Sequence, residues 1–144
     1  MVIRRNFLML IGALCIVSFA SVVKSEVAVI DFACASCGHK ERLIQGSDAV
    51  DQAHNVQSII VVCERNHKIR NIKIPIDPGL PTPEEPLVAR RYGNGRSELL
   101  GVELPRFLIP GNTCPLFPIT AYLDANICPI DGSPGFTMSV VGEY

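Results

Sequence analysis

Four stretches in the first half of the chain have the side-chain pattern of β-strands. β-Branched residues dominate Val27–Ala33 and Val56–Val62, and Lys68–Ile74 alternates polar and apolar side chains with period two. Period two places successive side chains on opposite faces of a strand, so Lys68–Ile74 is expected to have one face in solvent and one in the core. Lys40–Gln45 is the fourth predicted strand. The four segments predict two consecutive β-hairpins over residues 26–74.

The second half of the chain is interrupted by proline. All eleven prolines lie at or after Pro75, and five of them fall in residues 75–86. Because proline has no backbone N–H to donate, residues 75–96 are predicted to be a proline-rich linker or wrapping loop. Gly93-Asn94-Gly95 indicates a turn within it. Residues 97–144 are predicted to be a β-rich extension with strands at Ser97–Leu104, Arg106–Ile109 and Thr137–Val141.

A single short helix interrupts this pattern. Residues 48–54 follow Ser47, which is a residue type that caps helix N-termini. The predicted fold class is therefore mainly β, with a pair of hairpins followed by a proline-rich and loop-rich β extension.

The first 25 residues have the order of a secretory signal peptide. Arg4 and Arg5 form a basic start, Phe7–Ala20 is apolar and uncharged, and small residues suited to signal peptidase follow, ending at Ser25. We therefore expect residues 1–25 to be cleaved and the mature protein to be periplasmic or secreted. If the segment were retained, it would form an N-terminal membrane anchor.

The charge of the predicted mature chain argues against nucleic acid as a partner. From Glu26 onward there are ten Lys and Arg and fourteen Asp and Glu, which gives a net charge of −4. The sequence has no Gly-rich phosphate loop, nucleophile elbow or His-Glu-x-x-His helix, so an enzyme is the less expected class. The expected partner is another protein of the cell envelope, and the membrane itself only if the N-terminal segment is uncleaved.

Two short turns between the predicted strands contain the candidate metal ligands. The first holds Cys34 and Cys37 followed by Gly38, and the second holds Cys63 and His67. Thiolates and imidazoles at the tips of two hairpins can complete a tetrahedral shell around one cation. The predicted ligands of one structural zinc ion are Cys34, Cys37, Cys63 and His67.

This pair of turns resembles a zinc ribbon, in which two metal-tipped β-hairpins share one zinc ion. The resemblance covers residues 30–74. The first turn matches the Cys-x-x-Cys pattern of the family, whereas the second turn departs from it because His67 stands in place of a second cysteine.

A second set of residues competes for the other half of the site. Cys114-Pro115 and the segment from Cys128 to Gly132 also echo a ribbon turn, with Asp131 standing where a second cysteine is usual. Cys114 and Cys128 either form a disulfide or complete the site with Cys34 and Cys37, and Asp131 can then bind through oxygen. A metal-free framework of disulfides is the third alternative.

These observations predict a small exported protein with a structural zinc site and a binding or scaffolding role in the envelope. Two other functions remain open. A thiol–disulfide oxidoreductase using Cys34 and Cys37 normally has its first cysteine at a helix N-terminus, where the pKa is lowered. An envelope metal carrier needs a labile, partly exposed site.

Overall fold

The computed structural model describes residues 26–83 and 87–144, so the predicted signal peptide lies outside the described residues. The described chain forms one antiparallel sheet with two short helices, which confirms the mainly β prediction. The strands are β1 Glu26–Cys34, β2 Lys40–Ser47, β3 Val56–Cys63, β4 Ile69–Pro75, β5 Arg90–Arg96, β6 Glu103–Leu108, β7 Leu116–Pro118 and β8 Phe136–Glu143.

The third strand, β3, is the centre of the sheet. Along the sheet the strands follow the order β5-β6-β7-β3-β2-β1-β8, and β4 pairs with β3 off this path. One edge of β3 bonds β4 along its length, from Val56 opposite Pro75 to Val62 opposite Ile69. The other edge is divided between β2, which pairs at Ser58, and β7, which pairs near the end of the strand.

Alternate side chains of β3 enter two different hydrophobic cores. Ile60 and Val62 pack in the first core, together with residues of β1, α2 and β8. Val61 and Cys63 pack in the second core, with residues of β4, β6 and β7. Because side chains of a strand alternate between faces, Val61 and Cys63 are directed away from the first core. The continuous apolar run of β3 is the pattern expected of a strand that is buried on both faces.

A disulfide between Cys63 and Cys114 lies in the second core. Cys63 ends β3, and Cys114 lies two residues before β7, which pairs with the last residues of β3. This pairing brings together two cysteines that are 51 positions apart in the sequence. The alternative disulfide predicted between Cys114 and Cys128 is therefore wrong, because Cys128 is buried in the first core.

Two short helices connect the strands. Helix α1 (Ala49–Ala53) begins after Asp48, whose side chain accepts the backbone N–H of Asp51 at 2.8 Å. The cap is thus Asp48 and not Ser47. Helix α2 (Thr120–Asp124) buries Tyr122 in the first core. In the described ranges, no helix combines the length and apolar character needed to cross a membrane.

The second half of the sheet differs from the sequence prediction at the glycines. Gly93 and Gly95, predicted to form a turn, lie within β5, and the register of β5 against β6 shifts between Arg91 and Asn94. Glycine in a strand often marks such a bulge because it tolerates positive φ, and Gly93 has a φ of 118°. The turn lies instead over residues 98–100, where a strand was predicted.

Removal of the disulfide is expected to lower stability substantially. On the chain-entropy model, closing a loop of this length contributes about 4 kcal/mol. We expect the double variant Cys63→Ala, Cys114→Ala to lose up to about this amount of unfolding free energy, as measured by urea denaturation. The double variant removes both partners of this disulfide, so neither is left as a new unpaired thiol, and the reduced wild-type protein is its control. A variant as stable as the oxidised wild type would contradict the assignment of this pair.

Candidate metal centre

The tip of the first hairpin places one cysteine inward and one outward. Cys34 ends β1 and continues its buried face, whereas Cys37 is exposed at the tip of the turn. The turn is closed by two backbone hydrogen bonds: Cys34 N–H donates to His39 O at 2.9 Å, and Gly38 N–H donates to Cys34 O at 3.0 Å. Gly38 has a φ of 73°, a conformation that glycine adopts without a steric penalty.

A second turn near the C-terminus has the same backbone design. Cys128 N–H donates to Ser133 O at 2.7 Å, and Gly132 N–H donates to Cys128 O at 2.9 Å. Gly132 has a φ of 74°. Cys128 is buried and Asp131 is exposed, so the pair repeats the inward and outward arrangement of the first turn.

The two turns bring four potential metal ligands together. The three sulfurs of Cys34, Cys37 and Cys128 and a carboxylate oxygen of Asp131 all lie within 4.8 Å of one another. The Sγ atoms of Cys37 and Cys128 are 3.7 Å apart. In a tetrahedral site with metal–sulfur bonds of about 2.3 Å, neighbouring sulfurs are about 3.8 Å apart. The Cys37–Cys128 distance therefore matches a four-coordinate site, and the four residues together could hold a metal ion.

Strand pairing and direct contacts hold the two turns in place. Cys34 lies opposite Phe136 in the β1–β8 ladder, and the rings of Phe32 and Phe136 stack with centroids 5.7 Å apart. Ala35 N–H donates to Gly135 O at 3.1 Å, and the Ser36 hydroxyl donates to Pro134 O at 2.8 Å. These contacts do not involve the ligand atoms, so the described fold itself positions the cluster.

Ser133 orients the carboxylate of Asp131. Asp131 Oδ1 accepts the backbone N–H of Ser133 at 3.0 Å and its hydroxyl at 2.6 Å. These hydrogen bonds lower the pKa of Asp131 below its usual value, with the side-chain contact as the larger cause. The carboxylate is therefore ionised at neutral pH. Oδ1 accepts both hydrogen bonds, so the second carboxylate oxygen is available as a ligand atom.

The charge within the cluster is unevenly distributed. The pKa of Cys34 is lowered to about 6, first by a hydrogen bond with Ser133 and then by the backbone N–H of Cys37. The pKa of Cys128 is raised to about 12, first by burial and then by its contact with Cys34. In the absence of a metal, Cys34 is therefore the preferred thiolate and Cys128 keeps its proton. A metal ion that binds Cys128 must displace that proton.

The Ser133 hydroxyl has one proton and two neighbours that compete for it. Its Oγ atom lies 2.6 Å from Asp131 Oδ1 and 3.5 Å from Cys34 Sγ. The shorter contact favours donation to the carboxylate. Ser133 therefore donates mainly to Asp131, and while it does so the backbone N–H of Cys37 is the contact that keeps the pKa of Cys34 low.

A third turn has the same backbone form, but its residues belong to no cluster of potential metal ligands among the described residues. Cys63 N–H donates to Lys68 O at 3.0 Å, and His67 N–H donates to Cys63 O at 2.8 Å. Asn66 occupies the position of Cys37 and Asp131, and its Oδ1 accepts Lys68 N–H at 3.1 Å. His67 has a φ of 58°, where the other two turns have glycine. Its Nδ1 is buried and has no hydrogen-bond partner among the described residues.

The structure does not bring the predicted ligand set together. Cys34 and Cys37 are in the cluster, whereas Cys63 is bonded to Cys114 and offers no thiolate. The physical reason is the alternation of side chains along β3. Cys63 lies on the same face of the strand as Val61 and therefore packs in the second core. Cys128 and Asp131 stand in place of Cys63 and His67. Their signal in the sequence is the shared Cys-x-x-ligand-Gly spacing, which the sequence analysis identified as a competing set.

Comparison of the chain with protein-family models, with curated proteins and with solved structures found no match. The assignment of the site therefore depends on its geometry.

Replacement of His67 tests which ligand set binds the metal, the one that contains His67 or the one that contains Cys128 and Asp131. A non-glycine residue in the left-handed region costs about 1 kcal/mol, so His67→Gly is expected to stabilise the fold by up to that amount and to leave metal content unchanged. Thermal unfolding and elemental analysis would measure the two effects. Gly132→Ala is the matched control, because it introduces a side chain at the same turn position and is expected to destabilise. Loss of metal in a folded His67→Gly variant would favour the set that contains His67.

Removal of the Ser133 hydroxyl is expected to weaken metal binding without removing a ligand. Hydrogen bonds to metal ligands typically raise metal affinity by a factor of about 10 to 100. Ser133→Ala is therefore expected to bind metal about 10- to 100-fold more weakly than the wild type. Competition with a chromogenic chelator would measure it. Ser36→Ala is the control, because the Ser36 hydroxyl joins the two turns without contacting a ligand. An equal loss in both variants would indicate that docking of the turns, not carboxylate orientation, is responsible.

Proposed function

We propose that this chain is a small exported protein that binds one zinc ion through Cys34, Cys37, Cys128 and Asp131. The observation that carries the proposal is the convergence of three sulfurs and one carboxylate within 4.8 Å. Thiolate ligands favour soft or borderline metals, and a tetrahedral shell of sulfur and oxygen suits zinc. Two metal-bearing turns facing each other also support the resemblance to a zinc ribbon, with the C-terminal turn as the second half.

The site is proposed to be structural. Four protein ligands fill a tetrahedral shell and leave no position for a substrate or an activated water molecule. The metal would join Cys37 to Cys128, which are 91 positions apart in the sequence, and would thereby link the β1–β2 hairpin to the segment before β8. Zinc in such a site contributes folding free energy.

The proposed location is the periplasm or the extracellular space. The Cys63–Cys114 disulfide supports this location, because disulfides persist in oxidising compartments and are rare in the cytosol. The proposed role is binding or scaffolding with another envelope protein. The acidic excess of residues 26–144 supports a protein partner over nucleic acid.

Two of the four proposed ligands are exposed, and this exposure favours a metal carrier as the second candidate function. Cys37 and Asp131 both face solvent, so a competing chelator can reach one side of the ion. A carboxylate in place of a fourth thiolate also lowers the expected affinity for a soft metal. An oxidoreductase that uses Cys34 as its nucleophile has the lowered pKa of that thiol in its favour, but Cys34 is buried at the end of a strand, where a substrate disulfide does not reach it.

Metal analysis of the purified mature protein tests the proposal. We expect one zinc ion per chain, and we expect both Cys37→Ser and Asp131→Asn to reduce the metal content. Asn66→Ser is the matched control, because Asn66 is exposed at the same position of the equivalent turn. Its metal content is expected to equal that of the wild type. A wild-type protein that takes up no zinc in titration would contradict the proposal.

The stability of the metal-free protein separates the two candidates. A structural zinc ion is expected to contribute several kcal/mol, so its removal by a chelator should lower the unfolding temperature clearly. A carrier is expected to exchange zinc rapidly with the chelator and to keep nearly the same unfolding temperature without it. Thermal unfolding and the kinetics of zinc transfer, measured on the same sample, decide between these outcomes.

A further inference from the structure

The three unpaired thiols of the described chain differ in their access to solvent. Cys34 and Cys128 are buried, and Cys37 is exposed. A dissolved reagent therefore meets Cys37 first. The Sγ atom of Cys37 lies 3.7 Å from that of Cys128 and within 4.8 Å of that of Cys34.

We propose that Cys37 is a site of thiol–disulfide exchange with small disulfides, and that Cys128 resolves the adduct and thereby expels the metal. The first step is attack of the Cys37 thiolate on a small disulfide, which forms a mixed disulfide at Cys37 and releases one thiolate. In the second step the Cys128 thiol, 3.7 Å away, attacks Cys37 Sγ, and its proton passes to the departing small thiolate. The products are a Cys37–Cys128 disulfide and a second small thiol, so two electrons pass from the protein sulfurs to the reagent.

The metal is not oxidised or reduced in this sequence. Formation of the disulfide removes two of the four ligands, and Cys34 and Asp131 alone do not complete a tetrahedral shell. The ion is therefore released. The release step rests on the proposed zinc function, whereas the disulfide step depends only on the positions of the sulfurs.

The product disulfide joins the same two turns that the metal joins. Backbone pairing of Cys34 with Phe136 and the Ala35–Gly135 hydrogen bond already hold these turns together. A bond between Cys37 and Cys128 shortens an existing contact and requires no rearrangement of the strands. A Cys34–Cys37 bond, in contrast, would close a ring within one turn and would leave the second turn unattached. The two turns can thus be cross-linked in either of two ways, by a bound metal ion or by the Cys37–Cys128 disulfide.

Glutathione disulfide is a suitable probe, used on the zinc-loaded and on the metal-free full mature chain. We expect the metal-free chain to form the Cys37–Cys128 disulfide, as identified by peptide mapping without reduction. The zinc-loaded chain is expected to form the same bond and to release about one zinc ion per chain, measured with a chromogenic chelator. Reduction followed by added zinc should restore the original metal content.

Two variants identify the roles of the sulfurs. In Cys128→Ala the mixed disulfide at Cys37 is expected to persist, visible as a glutathione adduct by intact mass. Cys34→Ala is the matched control, because it removes the other buried thiol and should still form the Cys37–Cys128 bond. If Cys128→Ala does not fold, the time course of the transient adduct in the wild type provides the same information.

The outcomes separate this proposal from the proposed function. A Cys34–Cys37 bond as the main product, or a stable Cys37 adduct in the presence of Cys128, would overturn the exchange proposal. Zinc that stays bound while the metal-free chain oxidises would overturn the release step. A chain that never binds zinc but forms the Cys37–Cys128 bond would refute the zinc function and leave the exchange site standing.

Discussion

The alternation of side chains along β3 is the constraint on which the rest of the structure depends. One strand supplies Ile60 and Val62 to a core that contains Cys34 and Cys128, and Val61 and Cys63 to a core that contains Cys114. A one-residue difference in phase decides which of the two cores receives a side chain. The five cysteines of the described residues are thereby divided into three that lie in one cluster and two that form a disulfide. The second core has the disulfide, and the first has the cysteine cluster that could hold a metal ion; a cross-link of either kind suits a domain without tryptophan and with modest cores.

The hairpins and the metal-type turns were predictable from the sequence because they depend on local pattern. Strands β1 to β4 follow β-branched and alternating residues, and the turns at Cys34 and Cys63 lie where the spacing placed them. The pairing of the turns was not predictable in the same way. It depends on which faces of distant strands meet, and β7 and β8 determine that through contacts with β3 and β1. The short strand β7 is only three residues long, too short to show an alternating pattern, and was therefore not predicted.

Three turns with one backbone design show what distinguishes a ligand turn from a structural one. In all three, the residue at the fifth position is held in the left-handed region, with glycine in two turns and His67 in the third. The fourth position is Cys37, Asp131 or Asn66. Asn66 and Asp131 each accept the backbone N–H two residues later, but the neutral amide of Asn66 is a poor ligand for zinc compared with a thiolate or carboxylate. The turn alone therefore does not make a metal-type cluster, whereas the turn, its fourth residue and the face of the preceding segment together bring potential ligands to one place.

The same turn geometry fixes how open the proposed metal site is. The first ligand of each turn continues the buried face of its segment, and the fourth position lies at the tip, so two ligands face the core and two face solvent. Burial of Cys34 and Cys128 makes the inner half resistant to reagents, and exposure of Cys37 and Asp131 leaves the outer half reachable. A shell built from two such turns is half open unless another surface covers the tips. A partner protein seated over the two tips would therefore slow both the exchange of the metal and the oxidation of Cys37, which connects the proposed scaffolding role to the chemistry of the cluster.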